Sequence, residues 1–375
     1  MSKYRTIIIK IGSSSLTNKQ GTLDTANLAR IAGEVAELIK SKKKVIIVTS
    51  GAIVSGTEQL KLGRKPKTIP EKQAAAAVGQ GLLMRQYAKA FEAFGISVAQ
   101  ILLTRDEISN RGKYINTRNT LNALLSMGVV PIINENDTIS IDEIKIGDND
   151  TLSALVASLT GADLLVILTD VDGFMMPDED NEPQVVHVIN EITKDIEQAA
   201  GRPSTQGVGG MVTKLQAARI CSDAGVVMAI GNGRKENVMA DIISGKKTGT
   251  LFTPKGAHME SRKRWIAQGP SIKGTIVIDG GAEGAIIKEN KSLLPVGIKE
   301  ISGKFDVGDS VSIKNETGLE IGRGLVSYSS DNLKQIIGLR SEKVSEVLGI
   351  EYVNEVIHRD NLVLIEKPAC RQAGN

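Results

Sequence analysis

The sequence predicts an α/β protein: a largely parallel sheet sandwiched between helices, followed by a small β-rich domain. Three observations lead there. Apolar, β-branched runs alternate with helix-period patterns up to about Thr250, and strand–helix alternation of this kind implies a largely parallel sheet with helices on both faces. After Thr250 the pattern changes to short β-rich segments punctuated by Gly and Asp. The chain is 375 residues long, and domains of roughly 100–200 residues make two the expectation. The boundaries expected are residues 1–255 for the α/β domain, 256–274 for a linker rich in Gly, Pro and basic residues, and 275–367 for the β-rich domain.

Each element has its own signal. Tyr4–Ile11 and Lys44–Thr49 read as buried strands bounded by Gly-Ser turns. Between them Asp24 to Lys40 reads as a helix, with Leu28, Ile31, Val35, Leu38 and Ile39 on one face and Asp24 or Thr25 as N-cap. Glu71–Phe94 is Ala-rich and helical. Ile96–Leu103 and Val129–Asn134 read as strands, Asp150–Thr160 as a helix, Leu164–Thr169 as a strand, Val212–Ala224 as a helix and Val226–Ile230 as a strand. In the last domain Thr275–Asp279, Ala285–Ile287, Gly297–Ser302, Ser310–Lys314 and Gly322–Tyr328 read as strands.

Composition narrows the function. Two cysteines, Cys221 and Cys370, match no metal-ligand or disulfide spacing, which suits a reducing compartment. The N-terminus is no signal peptide and no run is long enough to span a bilayer, so a cytoplasmic protein with no membrane partner is expected. Three scattered histidines offer no triad, and satisfied structural histidines are the simpler reading. Thr275–Lys367 carries 11 Lys and Arg against 15 Asp and Glu, a balance of −4; with Arg371 in the tail, a chain net of +3 leaves +6 for residues 1–274. The basic half is the part suited to a polyanion.

Five constellations carry chemistry. Lys10-Ile11-Gly12-Ser13-Ser14-Ser15 follows the first strand. Such a glycine lets backbone approach a phosphate, and the lysine brings a mobile charge; a plain Gly-Ser turn is the competing reading. Thr49-Ser50-Gly51-Ala52 can offer backbone N–H groups to a carboxylate, or be only a turn. Asn134-Glu135-Asn136-Asp137 and Gly147-Asp148-Asn149-Asp150 gather polar side chains that a cationic ligand, such as an ammonium group, would offset; a solvated loop is the alternative. Leu168-Thr169-Asp170-Val171-Asp172-Gly173 follows a buried strand. Gly207 to Gly210, then Met211-Val212-Thr213-Lys214, form a Gly-rich loop opening a helix, a natural phosphate site. A lysine in the first turn opposes the helix dipole, which disfavours a purely structural role.

In this order and spacing the motifs resemble the amino acid kinase family, from Lys3 to about Thr250. The segments K-G-T-I-V-I-D-G-G-A and S-L-L-P-V-G-I-K-E-I-S-G-K-F-D-V-G-D look like a PUA domain. The resemblance implies the amino acid kinase fold and transfer of phosphate from ATP, with Mg2+, to the γ-carboxylate of L-glutamate. It implies catalytic Lys10 and Lys214; Asp150, one residue from the acceptor site, is expected to orient the two lysines through ion pairs and limit their repulsion. It places ATP along Lys10, Gly12, Ser13, Thr169, Asp170, Gly210, Met211, Val212, Thr213 and Lys214. It places glutamate on Ser50, Gly51, Asn134, Asp137, Asp148 and Asn149, with no protein residue named as a metal ligand. It further implies feedback inhibition by proline and a homo-oligomer.

Rivals within the family act on aspartate, N-acetylglutamate, carbamate or UMP. N-acetylglutamate lacks the ammonium that Asp137 would meet, and UMP would call for cations where the acceptor residues are acidic. Pocket depth, which separates aspartate, is not readable from sequence. An RNA-binding role for the last domain is disfavoured by its −4 balance and by the chain's 3% aromatics. A regulatory binding module without turnover is disfavoured by the presence of both lysines.

Overall fold

The computed structural model describes residues 4–18, 20–104, 107, 111–139, 148–178, 182–201, 210–254, 272–348 and 355–365. The Gly207–Gly209 stretch, Gly147, residues 256–271 of the expected linker and the tail after Lys367 lie outside the described residues. The strands are β1 (Thr6–Ile11), β2 (Lys44–Val48), β3 (Val98–Leu103), β4 (Val130–Glu135), β5 (Leu164–Thr169), β6 (Met175–Pro177), β7 (Pro183–Val185), β8 (Val188–Ile189), β9 (Val227–Asn232) and β10 (Thr250–Phe252). The helices of the same unit are α1 (Ser13–Leu16), α2 (Thr25–Lys40), α3 (Ala52–Gln59), α4 (Ile69–Glu92), α5 (Arg111–Ser126, of which the part from Thr117 onward belongs to this unit), α6 (Asp148–Thr160), α7 (Lys194–Ala200), α8 (Met211–Ala224) and α9 (Val238–Ser244).

An eight-stranded sheet runs in the order β3-β4-β2-β1-β5-β9-β10-β8. From β3 through β9 every pairing is parallel, and only β10 against β9 is antiparallel. The expected sheet is therefore present, extended by short edge strands. The central strands are nearly continuous apolar runs because both their faces are covered, with Lys10 the charged residue within β1. Ile7, Ile8, Ile9 and Ile11 are fully buried, as are Leu164 to Leu168. Burial of side chains of this size contributes roughly 1.5–3 kcal/mol each.

The helices follow local signals. Asp24 caps α2 by accepting from the Asn27 N–H at 3.0 Å, and Leu28, Ile31 and Val35 enter the core. Thr68 and Glu71 form a reciprocal capping box that starts α4 two residues before the expected Glu71. The chain leaves β1, β5 and β9 at the same end of the sheet, and β1 is where the order turns from leftward to rightward progression. Ligands bind beyond the carboxyl ends of the strands at such a switch point.

The second unit has strands β11 (Gly274–Ile278), β12 (Ile298–Gly303), β13 (Ser310–Lys314), β14 (Glu320–Leu325) and β15 (Leu362–Leu364), ordered β12-β11-β13-β14-β15. Helices α10 (Gly280–Glu289), α11 (Ser330–Ile336) and α12 (Ser341–Leu348) accompany them. Its own core includes Ile276, Ile278, Phe305, Val311, Ile313 and Tyr328. One expected strand is corrected here: Ala285–Ile287 lies in α10. Asp279 caps that helix by accepting from the Ala282 N–H at 2.7 Å, and Asn290 closes it in the left-handed region. These caps override the β-branched preference of Ile286 and Ile287.

Each unit has a separate core, so a chain ending at Gly269 is expected to fold. Circular dichroism should give a helical spectrum and a cooperative thermal transition. A gradual, non-cooperative melt would show that the first core does not suffice.

Candidate active site

The site is built where β1, β5 and the starts of α6 and α8 come together. Lys10 is the penultimate residue of β1 and points inward at 7% exposure. Asp150, in the first turn of α6, is 1% exposed, and Lys214, in the first turn of α8, is 6% exposed. Lys10 Nζ lies 2.7 Å from Asp150 Oδ1, and Lys214 Nζ lies 3.2 Å from Asp150 Oδ2. Thr213 Oγ1 donates to the same Oδ2 at 2.9 Å.

The electrostatics follow from this crowding. Burial alone would raise the Asp150 pKa, but the two lysines and the hydrogen bonds outweigh it and hold the carboxyl below its ordinary value. For Lys10 the balance runs the other way. Burial pushes its ammonium below the ordinary lysine value, Asp150 resists and Lys214 adds to the fall. A carboxylate at a helix start is also favoured by the helix dipole.

The turn after β1 adjoins the end of β5. The Gly12 N–H donates to Leu168 O at 3.1 Å. Ser14 and Thr169 hydroxyls both donate to Asp170 Oδ1, at 3.3 and 3.0 Å. Ser13 is exposed, Gly12 buried, and Gly210 is the N-cap of α8, followed by half-buried Met211 and exposed Val212. A cavity of about 280 Å³ opens at this end of the sheet, lined by Asp172, His187, Asn232 and Lys235 among others. Asn232 is the register partner of Thr169. Its amide donates to Asp172 at 2.8 Å, and Lys235 pairs with that carboxylate at 2.9 Å.

A second group of residues meets at the start of α6 from the other side. Asn149 Nδ2 donates to Ser50 Oγ at 3.0 Å and to Asn134 Oδ1 at 3.1 Å. Ser50 follows β2, and Gly51, at φ 103°, adopts a conformation that favours glycine and turns the chain into α3. Asp137 is half-buried three residues past Asn134. Asp148 begins α6. The structure thus brings Lys10, Asp150, Thr213 and Lys214 together, and separately Ser50, Asn134 and Asn149. Asn149 and Asp150 are neighbours in the chain, so the two groups adjoin.

Sequence reasoning missed Gln80 of α4, whose Oε1 accepts from Asn134 Nδ2 at 2.9 Å. The available signal was one polar residue between Gly79 and Gly81 in an Ala-rich helix. It also missed Tyr87, whose hydroxyl lies 2.7 Å from Thr49 Oγ1. Among the described residues no cluster of three or more His, Cys, Asp and Glu could hold a metal ion, and no helix is long and apolar enough to cross a membrane.

If Asp150 holds β1, α6 and α8 together, Asp150→Ala should lower stability by about 3–5 kcal/mol at neutral pH, the cost of stranding buried partners. Because the folded-state value is depressed, this contribution is present above the ordinary aspartate pKa and lost as pH falls through the lower folded value. Urea titrations over that range should show the two proteins converging in acid. Equal stability at neutral pH would show that the ion cluster does not join these elements.

Residues 5–232 match the Amino acid kinase family and residues 274–348 match the PUA domain. The chain is 47% identical over 364 residues to a glutamate 5-kinase of Thermoanaerobacter sp. (strain X514), covering 96% of this chain and 98% of the relative. It is 48% identical over 368 residues to a glutamate 5-kinase of Geobacter sulfurreducens, covering 97% and 99%. A glutamate 5-kinase of Moorella thermoacetica is 44% identical over 368 residues, covering 97% of each chain. The chain belongs to the amino acid kinase family and carries a C-terminal PUA domain.

Proposed function

We propose that this phosphotransferase of the amino acid kinase family transfers the γ-phosphoryl group of ATP to the γ-carboxylate of L-glutamate. The products are L-glutamyl 5-phosphate and ADP, and the step would begin proline biosynthesis. The observation that carries the reading is the convergence of two buried lysines, one from β1 and one from the first turn of α8, on one carboxylate. Phosphoryl transfer needs positioning and charge neutralisation rather than covalent help from the protein. Full-length similarity to the glutamate 5-kinases supports glutamate as acceptor.

In this reading Lys10 and Lys214 stabilise the charge on the transferring group, and Asp150 orients them and limits their repulsion. ATP phosphates lie along Gly12, Ser13 and Gly210 to Lys214, with Thr169 and Asp170 beside them. The cavity beyond, lined by Asp172, Asn232 and Lys235, is the space open to the nucleoside end. Glutamate lies on Ser50, Gly51, Asn134, Asp137, Asp148 and Asn149, and the acidic side chain of Asp137 meets its ammonium. Mg2+ travels with the ATP oxygens, as is common for this ion. Asp150, engaged by both lysines and Thr213, is not free to serve it as a ligand. Proline as an inhibitor at or beside the glutamate site, self-association and a cytoplasmic location complete the proposal.

ADP release should be measured with glutamate, aspartate, N-acetylglutamate and UMP, with hydroxylamine present to trap an acyl phosphate. Turnover and hydroxamate with glutamate alone are expected. ADP release with another acceptor and none with glutamate would overturn the assignment.

Lys214→Ala should lower kcat by roughly 10²–10³, the loss seen when one preorganised transition-state donor is removed. The KM for glutamate should change far less. An unchanged kcat in steady-state assays would take Lys214 out of the chemistry.

A further inference from the structure

The turn that would carry the ATP phosphates needs outside support. Helix α1 is one turn, Ser13–Leu16, and no side chain caps its start. A helix this short does not hold itself, and its last carbonyls have no partners within it. Two of them, Ser14 O and Ser15 O, are taken by distant side chains, while Ser13 O accepts from Thr17 Oγ1 and Leu16 O from the Asp24 N–H. Arg234 Nη2 donates to Ser14 O at 2.8 Å and to Thr17 O at 2.6 Å. Asn27 Nδ2 donates to Ser15 O at 2.7 Å.

The same side chains grip the loop after β9. Asn27 Nδ2 also reaches Gly233 O at 3.2 Å, while Arg30 donates to Gly233 O and, at 3.0 Å, to Lys235 O. Asn27 and Arg30 sit one turn apart on α2, and Asn27 Oδ1 accepts from Arg30 Nε at 3.0 Å and from Nη2 at 2.8 Å. Glu34, a turn further on, pairs with Arg30 and accepts from the Asn237 and Met239 N–H groups at 3.2 and 3.3 Å. One face of α2 therefore ties the turn after β1 to the loop after β9, although β5 lies between those strands in the sheet.

The end of β5 is drawn into the same body. The Gly233 N–H donates to Thr169 O at 2.7 Å, and Ser14 Oγ to Asp170 Oδ1. The fit leaves no space at Gly233, where a Cβ would lie 2.7 Å from Ser15 Oγ and 3.0 Å from Leu168 Cβ.

We propose that Asn27, Arg30 and Arg234 are positioning residues for the nucleotide, holding the Gly12–Ser15 turn in register with Thr169–Asp170 before ATP arrives. The inference rests on the reading that ATP phosphates lie along that turn. Holding a binding segment in its bound form removes an ordering cost from association. Arginine suits this work because its planar fork presents several donors in a fixed arrangement. Arg30 serves the Gly233 and Lys235 carbonyls with separate nitrogens, and Arg234 Nη2 serves two carbonyls while Nη1 reaches Asp24 Oδ2 at 3.5 Å.

The test uses the full chain with Arg30→Ala, Arg234→Ala and Arg234→Lys. Calorimetry with AMP-PNP in the absence of glutamate reports nucleotide affinity directly. Steady-state assays give the KM for each substrate, and thermal melts give stability. Each alanine variant should bind AMP-PNP about tenfold or more weakly, the scale of a lost hydrogen bond to a charged group. The KM for ATP should rise in step and the KM for glutamate should stay the same. Arg234→Lys should fall between wild type and Arg234→Ala, and it decides the matter if an alanine variant does not fold. Unchanged AMP-PNP affinity, or an equal rise in both KM values with a lower melting temperature, would reduce the three residues to ordinary scaffold and overturn the proposal. A wild-type chain that bound no AMP-PNP would remove the ATP reading and the inference with it.

Discussion

Asp150 fixes where three elements can be. Its two oxygens are claimed by Lys10 from β1, by Lys214 from α8 and by the Thr213 hydroxyl beside it. Any of these charges buried alone would cost several kcal/mol. Together they are tolerable only if β1, α6 and α8 keep their relative positions to within hydrogen-bond length. The constraint reaches further than the three residues. Lys10 can be buried because β1 lies centrally, paired with β2 and β5. Lys214 can be buried despite the opposing helix dipole because a carboxylate faces it.

The start of α6 also joins the two halves of the site. Successive helical residues point in different directions, so Asn149 and Asp150 face different neighbours. Asn149 reaches Ser50 and Asn134, and Asp150 reaches the lysines. In the proposed reaction the acceptor amino acid and the phosphoryl group then meet across one peptide link. The geometry favours bringing two substrates to near-attack distance, which is a large part of what catalysis by positioning can supply.

How much of this was legible in the sequence varied with the range of the interaction. The central strands were legible because a parallel strand covered on both faces must be largely apolar, as in Leu164–Thr169 and, apart from Lys10 near its end, in Thr6–Ile11. Asp24 was legible as a cap because its partner is three residues away. Lys10, Asp150 and Lys214 were legible as members of motifs, but their distances to one another were not. The stretch Ala285–Ile287 misled because three apolar residues fit a strand as well as a helix, and only the caps at Asp279 and Asn290 decide. Helix α5 gave no clear apolar stripe in R-G-K-Y-I-N-T-R-N-T-L-N and was not anticipated. Asn27, Arg30 and Arg234 escaped notice for another reason. They act on backbone carbonyls some two hundred residues away, between Arg30 and Gly233 or Arg234 and Ser14, and a carbonyl leaves no mark in a sequence.

The state of Asp150 also bears on whether the proposed reaction calls for a base. Carboxylates titrate at about 4 in free solution, so the γ-carboxylate of glutamate would arrive already ionised. The acceptor in the proposed reaction therefore needs no proton removed, and an efficient base beside it would have nothing to do. A free carboxylate near the γ-phosphate would instead compete as a nucleophile. Asp150 is poorly suited to either task. Two ammonium groups and a hydroxyl occupy its oxygens, and the lysines hold its pKa below the ordinary value. The interactions that let it organise the lysines thus also lower its own reactivity, leaving the substrate carboxylate as the better nucleophile.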